Sequence, residues 1–493
     1  MTWEVHLFYA PEQGEPAYLS EPGGDTSPHA IITNDVDAAA ERFPGAQCAD
    51  ITALWQLAFP ATASENFAQV LREINALENA EGLAAAWQRI AAQLDALPLW
   101  ALEHAELALR EAEEKALAGI FKLAARRACK DPKKCAEWMR SFEIRAAQTE
   151  KRAIPAHADC SAIAPDELAR AVGPGGAFAG VIPGYEPREG QAQMVRAVAR
   201  AFNTAQHLAV EAGTGVGKSI GYLLPAAKWA LFNDTPVIVS THMKNLQAQL
   251  MDKDIPMLRE ALARAGEPNI EKLRVALIKG RGNYLCLRKV GVLLGGGALM
   301  FDRPGLRQLA RAVVWAAQTP DGDLDAFTGG AGADAEFTRE LASPTDECPG
   351  GRCRHFRRCF LRKARDRAGR AHLVLANHAL VFVDHNAEIS LPSARQIIFD
   401  EAHNLEEVAT RHFSVEITSA RFFRLLSRLS RERGKTSTGI LESLRVQLEK
   451  GAAGGDNAVR KAMVKTLRRV RRTRGNADGG RRIFPRAGAG PRA

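Results

Sequence analysis

The octapeptide Ala212-Gly213-Thr214-Gly215-Val216-Gly217-Lys218-Ser219 lies between an apolar stretch and a helix-forming one, where a phosphate loop belongs. Gly213, Gly215 and Gly217 let backbone N–H groups turn inward around phosphate oxygens. The Lys218 ammonium can neutralise β and γ oxygens, and the Ser219 hydroxyl can ligate Mg²⁺. Ala212 stands where the common pattern has its first glycine. Much later, Ile397-Ile398-Phe399-Asp400-Glu401-Ala402-His403 ends an apolar run in two adjacent carboxylates. Asp400 suits Mg²⁺ held through water, and Glu401 suits polarising a water that attacks a phosphoryl group. A glycine turn or an acidic helix start would explain either motif alone. The pair points to ATP and Mg²⁺.

Four of the eight cysteines form a second constellation, Cys286, Cys348, Cys353 and Cys359, spaced C-x61-C-x4-C-x5-C. Four thiolates that converge suit an iron–sulfur centre. They suit Zn²⁺ as well, and His355 lies inside the group. Zinc sites more often show two close pairs, which this spacing lacks. Unliganded thiols fit poorly among the surrounding Pro, Gly and Arg. Cys48, Cys129, Cys135 and Cys160 show no ligand pattern and read as ordinary thiols.

The elements that would hold these residues are legible as changes of pattern. From about Tyr185 onwards, short apolar strands alternate with helices: HLAVEAG (from His207), VIVS (from Val237), VALIK, HLVLAN and QIIFDE. Continuous apolar strands separated by helices imply an α/β fold with a parallel sheet covered on both faces, and ligands at the carboxyl ends of the strands. Before this, Trp3, Val5, Leu7 and Tyr9 alternate as one strand. From about Ser64 to Ala147 an Ala-, Leu-, Glu- and Arg-rich stretch has helical spacing, its alanine stripes reading as helix seams. GPGGAFAGVIPG (Gly173 to Gly184) reads as a linker.

At these motifs the sequence resembles the DinG/XPD group of iron–sulfur DNA helicases, in helicase superfamily two. Tyr185-Glu186-Pro187-Arg188 with Gln191 resembles the family's adenine-recognising motif. EAGTGVGKS (from Glu211) resembles its phosphate loop. Ser240, Thr241, Leu246 and Gln247 resemble its first DNA-contacting motif, and Lys279 to Cys286 the entry to its cluster domain. Ala376-Asn377-His378 lies where the family rejoins the sheet, followed by IIFDEAHNLE. The resemblance implies a RecA-like P-loop NTPase domain, Arg188 and Gln191 at the adenine, and a [4Fe-4S] cluster on the four cysteines.

The expected organisation is a mostly α-helical accessory domain over 1–172, a linker at 173–184, and the motor domain over 185–281 and 372–415. An inserted iron–sulfur domain occupies 282–371. The start of a helical arch follows at 416–450, then a basic, disordered tail at 451–493.

The formal charge of +9 is concentrated. From Asp456 to Ala493 there are 12 Lys/Arg against 2 Asp/Glu, leaving 54 against 55 in the rest. Between Cys348 and His372, nine Arg/Lys face only Asp366. A charge run is often only a solvated face. Beside a cluster domain that the family places at the DNA fork, phosphate contact is the stronger reading. The expected partners are single-stranded and forked duplex DNA, with no membrane, since no apolar run of about 18 residues occurs. The opening MTWEVHLFYA lacks a leader pattern, so a cytoplasmic location is expected.

A translocating helicase of this type hydrolyses ATP between two RecA-like domains, the second supplying arginines. About 90 residues follow the acidic motif, and none resembles that domain. The sequence therefore reads as the N-terminal portion of a DNA helicase, 5′–3′ by that resemblance, with the second motor domain absent or supplied by a partner. An ATP-switched nucleic-acid-binding module without turnover, or a DinG-like component of a CRISPR or plasmid system, are the alternatives. Nuclease activity is not expected, because the N-terminal part lacks the paired acidic motif of the exonuclease fused to some relatives.

Overall fold

The structure, a computed structural model, describes residues 6–11, 16–18, 31–44, 46–129, 160–213, 215–328, 335–343, 348–387 and 391–414, with a few short stretches beyond. Chain contacts divide it into two units. One comprises residues 1–145, 285–342 and 416–493, the other 146–284 and 343–415. This division cuts through the segment expected as a single insert: residues 285–342 group with the N-terminal helices, and the three clustered cysteines group with the second unit.

In the first unit, β1 (His6–Tyr9), β2 (Ala17–Tyr18), β3 (Ile31–Thr33) and β4 (Cys48–Asp50) form a four-stranded sheet in the order β2-β1-β3-β4. The sequence suggested one strand here. Strands of two to four residues are too short to print an alternation, and their pairing is non-local. The expected helices follow as Phe67–Ile74, Ala80–Ala96, Leu99–Glu111 and Lys115–Cys129. Alanines 86, 101, 105 and 108 are fully or almost fully buried, as helix seams require. Within the same unit, buried Arg311 of the helix Arg303–Gln318 donates from Nε to the Pro60 carbonyl (2.8 Å) and stacks 4.6 Å from the Phe327 ring. Burial lowers its pKa to about 10, so the guanidinium stays charged.

The second unit is built on a parallel sheet of β5 (Val237–Thr241), β6 (Val275–Leu277), β7 (Leu373–Asn377) and β8 (Gln396–Phe399), ordered β6-β7-β5-β8. Alternate residues face opposite ways. Val237, Val239, Leu373 and Leu375 pack with the helices Glu189–Thr204, Lys218–Asn233 and Ile255–Arg264. Ile238, Val374 and Ala376 pack on the other face with Ala368, Leu380 and Val381. Both faces are covered, which is the α/β, RecA-like arrangement expected.

Two readings of the sequence differ from the structure. HLAVEAG forms no regular element and joins no strand ladder, and Leu208 and Val210 stay 45% and 43% exposed. Strand propensity becomes a strand only beside a partner edge, and the described residues pair no edge with this segment. The Gly173–Gly184 segment is no free linker. Phe178 is fully buried in the core of the second unit, within a single turn at Ala177–Gly180, and the Arg264 guanidinium bonds the Gly180 carbonyl. A lone Phe in a Gly/Pro stretch gives no periodic signal.

Candidate nucleotide site

The phosphate loop enters the helix Lys218–Asn233 through two glycines in left-handed conformation, Gly215 and Gly217, both at φ 84°. A side chain at Gly217 would be strained, and its Cβ would run into the Gln191 carboxamide. Buried Gln191 donates to the Gly217 carbonyl at 3.0 Å. The Tyr185 hydroxyl lies 2.8 Å from both Gln191 Oε1 and the Val172 carbonyl, so it can donate to either. Burial pushes the Tyr185 phenol up, opposed by the cation of Arg188, which itself is exposed at the start of the helix Glu189–Thr204. Gln191 thus braces the loop backbone, while Arg188 acts on Tyr185. Gly213 is exposed before the turn, and Thr214 lies outside the described residues.

The helix begins at Lys218, so its first N–H groups and dipole point into the loop, favouring anions. Lys218 Nζ lies 3.5 Å from Glu401 Oε1, with both side chains one-third exposed. Asp400 and Glu401 sit just past β8, where the Asp400 N–H donates to the Ser240 carbonyl at 2.8 Å and extends the ladder. Asp400 is buried and accepts from the Tyr222 hydroxyl at Oδ2 (2.9 Å) and from the Glu401 N–H at Oδ1 (3.0 Å). Glu401 has φ 55°, left-handed for a residue with a side chain. His403 Nδ1 lies 3.4 Å from its Oε2. The two motifs, 183 residues apart, therefore meet at one end of the sheet.

Three residues completing the site had not been singled out for it. Tyr222 is one helical turn beyond Lys218; its hydroxyl is pushed well up by burial and then by the Asp400 charge. Asp254, 5% exposed, has its carboxyl raised by burial, with Ser219 and Gln249 pulling it back. His378, also buried, places Nδ1 2.7 Å from Ser240 Oγ, and burial lowers its pKa. Only the helical spacing of Tyr222 from Lys218 was readable beforehand. Asp254 and His378 reach the site through packing.

Lys218, Ser219, Asp400 and Glu401 are thus brought together, and their donor set fits Mg-nucleotide chemistry: an ammonium, a hydroxyl and carboxylates around a helix N-terminus.

The cysteines are placed differently. Cys286 precedes the helix Leu287–Met300 in the first unit, its N–H donating to the Leu341 carbonyl at 2.9 Å. Cys353 and Cys359 each follow a single 3₁₀ turn in the second unit, and exposed Cys348 precedes both. Among the described residues, no three His, Cys, Asp or Glu side chains form a metal-holding group. The set still has the right chemistry for a thiolate-bound centre, three soft donors on one irregular, arginine-rich segment. His355 between them is depressed by burial and by Arg354 and Arg358.

Comparison with known proteins matches residues 351–422 to the DEAD_2 family. The chain is 40% identical over 258 residues to a Mycobacterium tuberculosis protein named ATP-dependent helicase DinG, covering 50% of this chain and 38% of that one. It is 39% identical over 252 residues to Escherichia coli ATP-dependent DNA helicase YoaA, covering 50% and 37%. With Bacillus subtilis 3′-5′ exonuclease DinG it shares 32% over 282 residues, 57% and 29% of the two chains. The matched part thus spans well under half the length of these relatives.

Proposed function

We propose that this chain, of the DinG helicase type in its P-loop half, binds Mg-ATP at the site described and contributes ATP hydrolysis to movement along single-stranded DNA. The observation that carries the proposal is the meeting of Lys218 with Glu401 and of Tyr222 with Asp400 across 183 and 178 residues. In this arrangement Lys218 exchanges its Glu401 partner for the phosphate oxygens. Glu401, released, accepts a proton from the attacking water. Ser219 and Asp400 would hold Mg²⁺, which when bound offsets phosphate charge. Gln191, which braces the loop, and Arg188 would meet the adenine.

For the complete assembly the reading extends to 5′–3′ translocation and unwinding of forked duplexes, with a second motor domain supplying arginines. A [4Fe-4S] cluster on Cys286, Cys348, Cys353 and Cys359 belongs to the same reading, in a cytoplasmic protein. The donor chemistry of the four thiols supports the cluster. The described residues contain no helix long and apolar enough to cross a membrane.

Calorimetry tests the nucleotide site. Lys218→Ala should abolish ATP binding, because the ammonium meets the phosphates. Glu401→Gln should leave binding intact or tighten it, since Lys218 loses a competing carboxylate. Unchanged affinity in Lys218→Ala would make the loop a structural turn.

A further inference from the structure

We propose that Tyr222 is a positioning residue for the metal side of the nucleotide site: its hydroxyl, donated to Asp400 Oδ2 at 2.9 Å, holds that carboxylate in a fixed orientation for a hydrated Mg²⁺ ion. The inference rests on the nucleotide-site reading above. Tyr222 belongs to neither motif that marks the site, lying three residues past Ser219 and 178 before Asp400.

The contact is built from both sides. Tyr222 is the fifth residue of the helix Lys218–Asn233, so it follows Lys218 by one turn on the same face. Its ring, 2% exposed, belongs to the same core cluster as Val239 and Leu250. A tyrosine suits such a core only where its hydroxyl finds a partner. Here the partner is a carboxylate that is itself only 9% exposed. Asp400 is held at three points. Its N–H donates to the Ser240 carbonyl at 2.8 Å, which anchors the main chain to β5. Oδ1 accepts the Glu401 N–H at 3.0 Å, within the left-handed turn at Glu401. Those two bonds belong to the end of the sheet itself. The bond from Tyr222 to Oδ2 adds a tie to another element, the helix that begins at Lys218.

This tie matters to the chemistry in two ways. With one protein donor on each oxygen, the carboxylate cannot rotate about its Cβ–Cγ bond without breaking both bonds, and bonds to a charged acceptor are the strong ones. Burial, and then the charge of Asp400, push the phenol well above its usual range, so the hydroxyl keeps its proton and stays the donor. Lys218 and Tyr222 also ride on one helix, about 6 Å apart along its axis, so a rigid turn spaces the ammonium from the metal-side carboxylate. Mg²⁺ demands near-ideal octahedral geometry and gives up water reluctantly, whereas Ca²⁺ accepts about six to eight oxygens in flexible arrangements. A carboxylate held in place therefore matters far more to Mg²⁺ than to Ca²⁺. Tyr222 touches neither nucleotide nor metal in this scheme. It acts through Asp400.

The test is ATP binding by calorimetry on the full 493-residue chain, across a Mg²⁺ series, across a Ca²⁺ series and in EDTA. Tyr222→Phe keeps the ring and removes only the hydroxyl. It should raise the Mg²⁺ concentration needed for half-maximal ATP binding by about tenfold, the effect of losing one bond to a charged group. The Ca²⁺ requirement should move by less than about threefold, and metal-free binding should stay as it is. In an Asp400→Asn background the same change should leave the Mg²⁺ requirement where it was, because the carboxylate it holds is gone. Should the Phe variant not fold, Tyr222→Met, a flexible apolar filler of the same space, carries the same expectations. Equal losses with Mg²⁺, with Ca²⁺ and in EDTA would make the hydroxyl merely structural and overturn the proposal. An unshifted Mg²⁺ requirement in the variant would overturn it too. If the wild type binds ATP under none of the three conditions, the nucleotide-site reading fails and takes this proposal with it.

Discussion

A thiolate-bound iron cluster absorbs visible light, so the cysteine proposal has a direct readout at the residue scale. Protein purified without oxygen should be brown, with about four irons per chain. Cys353→Ser should bleach it and lower the iron content. Colourless protein carrying stoichiometric zinc would reject the cluster. The residues proposed to work on the nucleotide, its metal and the attacking water, Lys218, Ser219, Asp400 and Glu401, stand out in the sequence because a glycine-rich loop and an acidic strand end are local patterns. Asp254 and His378 were not, because each reaches the site across a strand or helix boundary that only packing defines. Thr214 remains an expectation outside the described residues.

At the scale of elements, β5 to β8 were readable as apolar runs because both faces of the sheet are covered. HLAVEAG carries the same pattern without becoming a strand, since pattern supplies propensity and a neighbour supplies the ladder. His372, just before β7, marks how the sheet is pinned. It is buried, its Nδ1 accepts the Arg274 N–H at 3.1 Å, and Nε2 donates to Asp234 Oδ1 at 3.0 Å, which defines the neutral ring. Burial lowers its pKa below the ordinary value, outweighing the opposing pull of Asp234. The unfolded chain takes up this proton near pH 6.5, the folded one only at lower pH. Stability therefore falls as pH drops from about 6.5 to the folded value, and the loss levels off below it. Over that window this one site contributes up to about 1.4 kcal/mol per pH unit. His372→Gln should be less stable at pH 8 and should show a shallower decline in Tm between pH 7 and 5. A decline as steep as the wild type's would place the titration elsewhere.

For the whole molecule, charge is the quantity that matters for DNA. Outside the last 38 residues the chain is close to neutral, yet nine basic residues lie between Cys348 and His372. If three of these meet phosphates, the affinity for single-stranded DNA should fall with salt at a log–log slope of about −2. Replacing the exposed pair Arg352 and Arg367 by Ala should flatten that slope, measured by fluorescence anisotropy across a salt series. A slope left unchanged would move the contact to the basic tail. Stability and turnover also pull against each other at one point of the fold. Glu401 keeps a left-handed backbone that costs its side chain of the order of 1 kcal/mol, and glycine or asparagine would sit there at less cost. A search for heat-resistant variants of this protein would thus be drawn to position 401, and would be rewarded there with a sturdier chain lacking the carboxylate proposed to activate water.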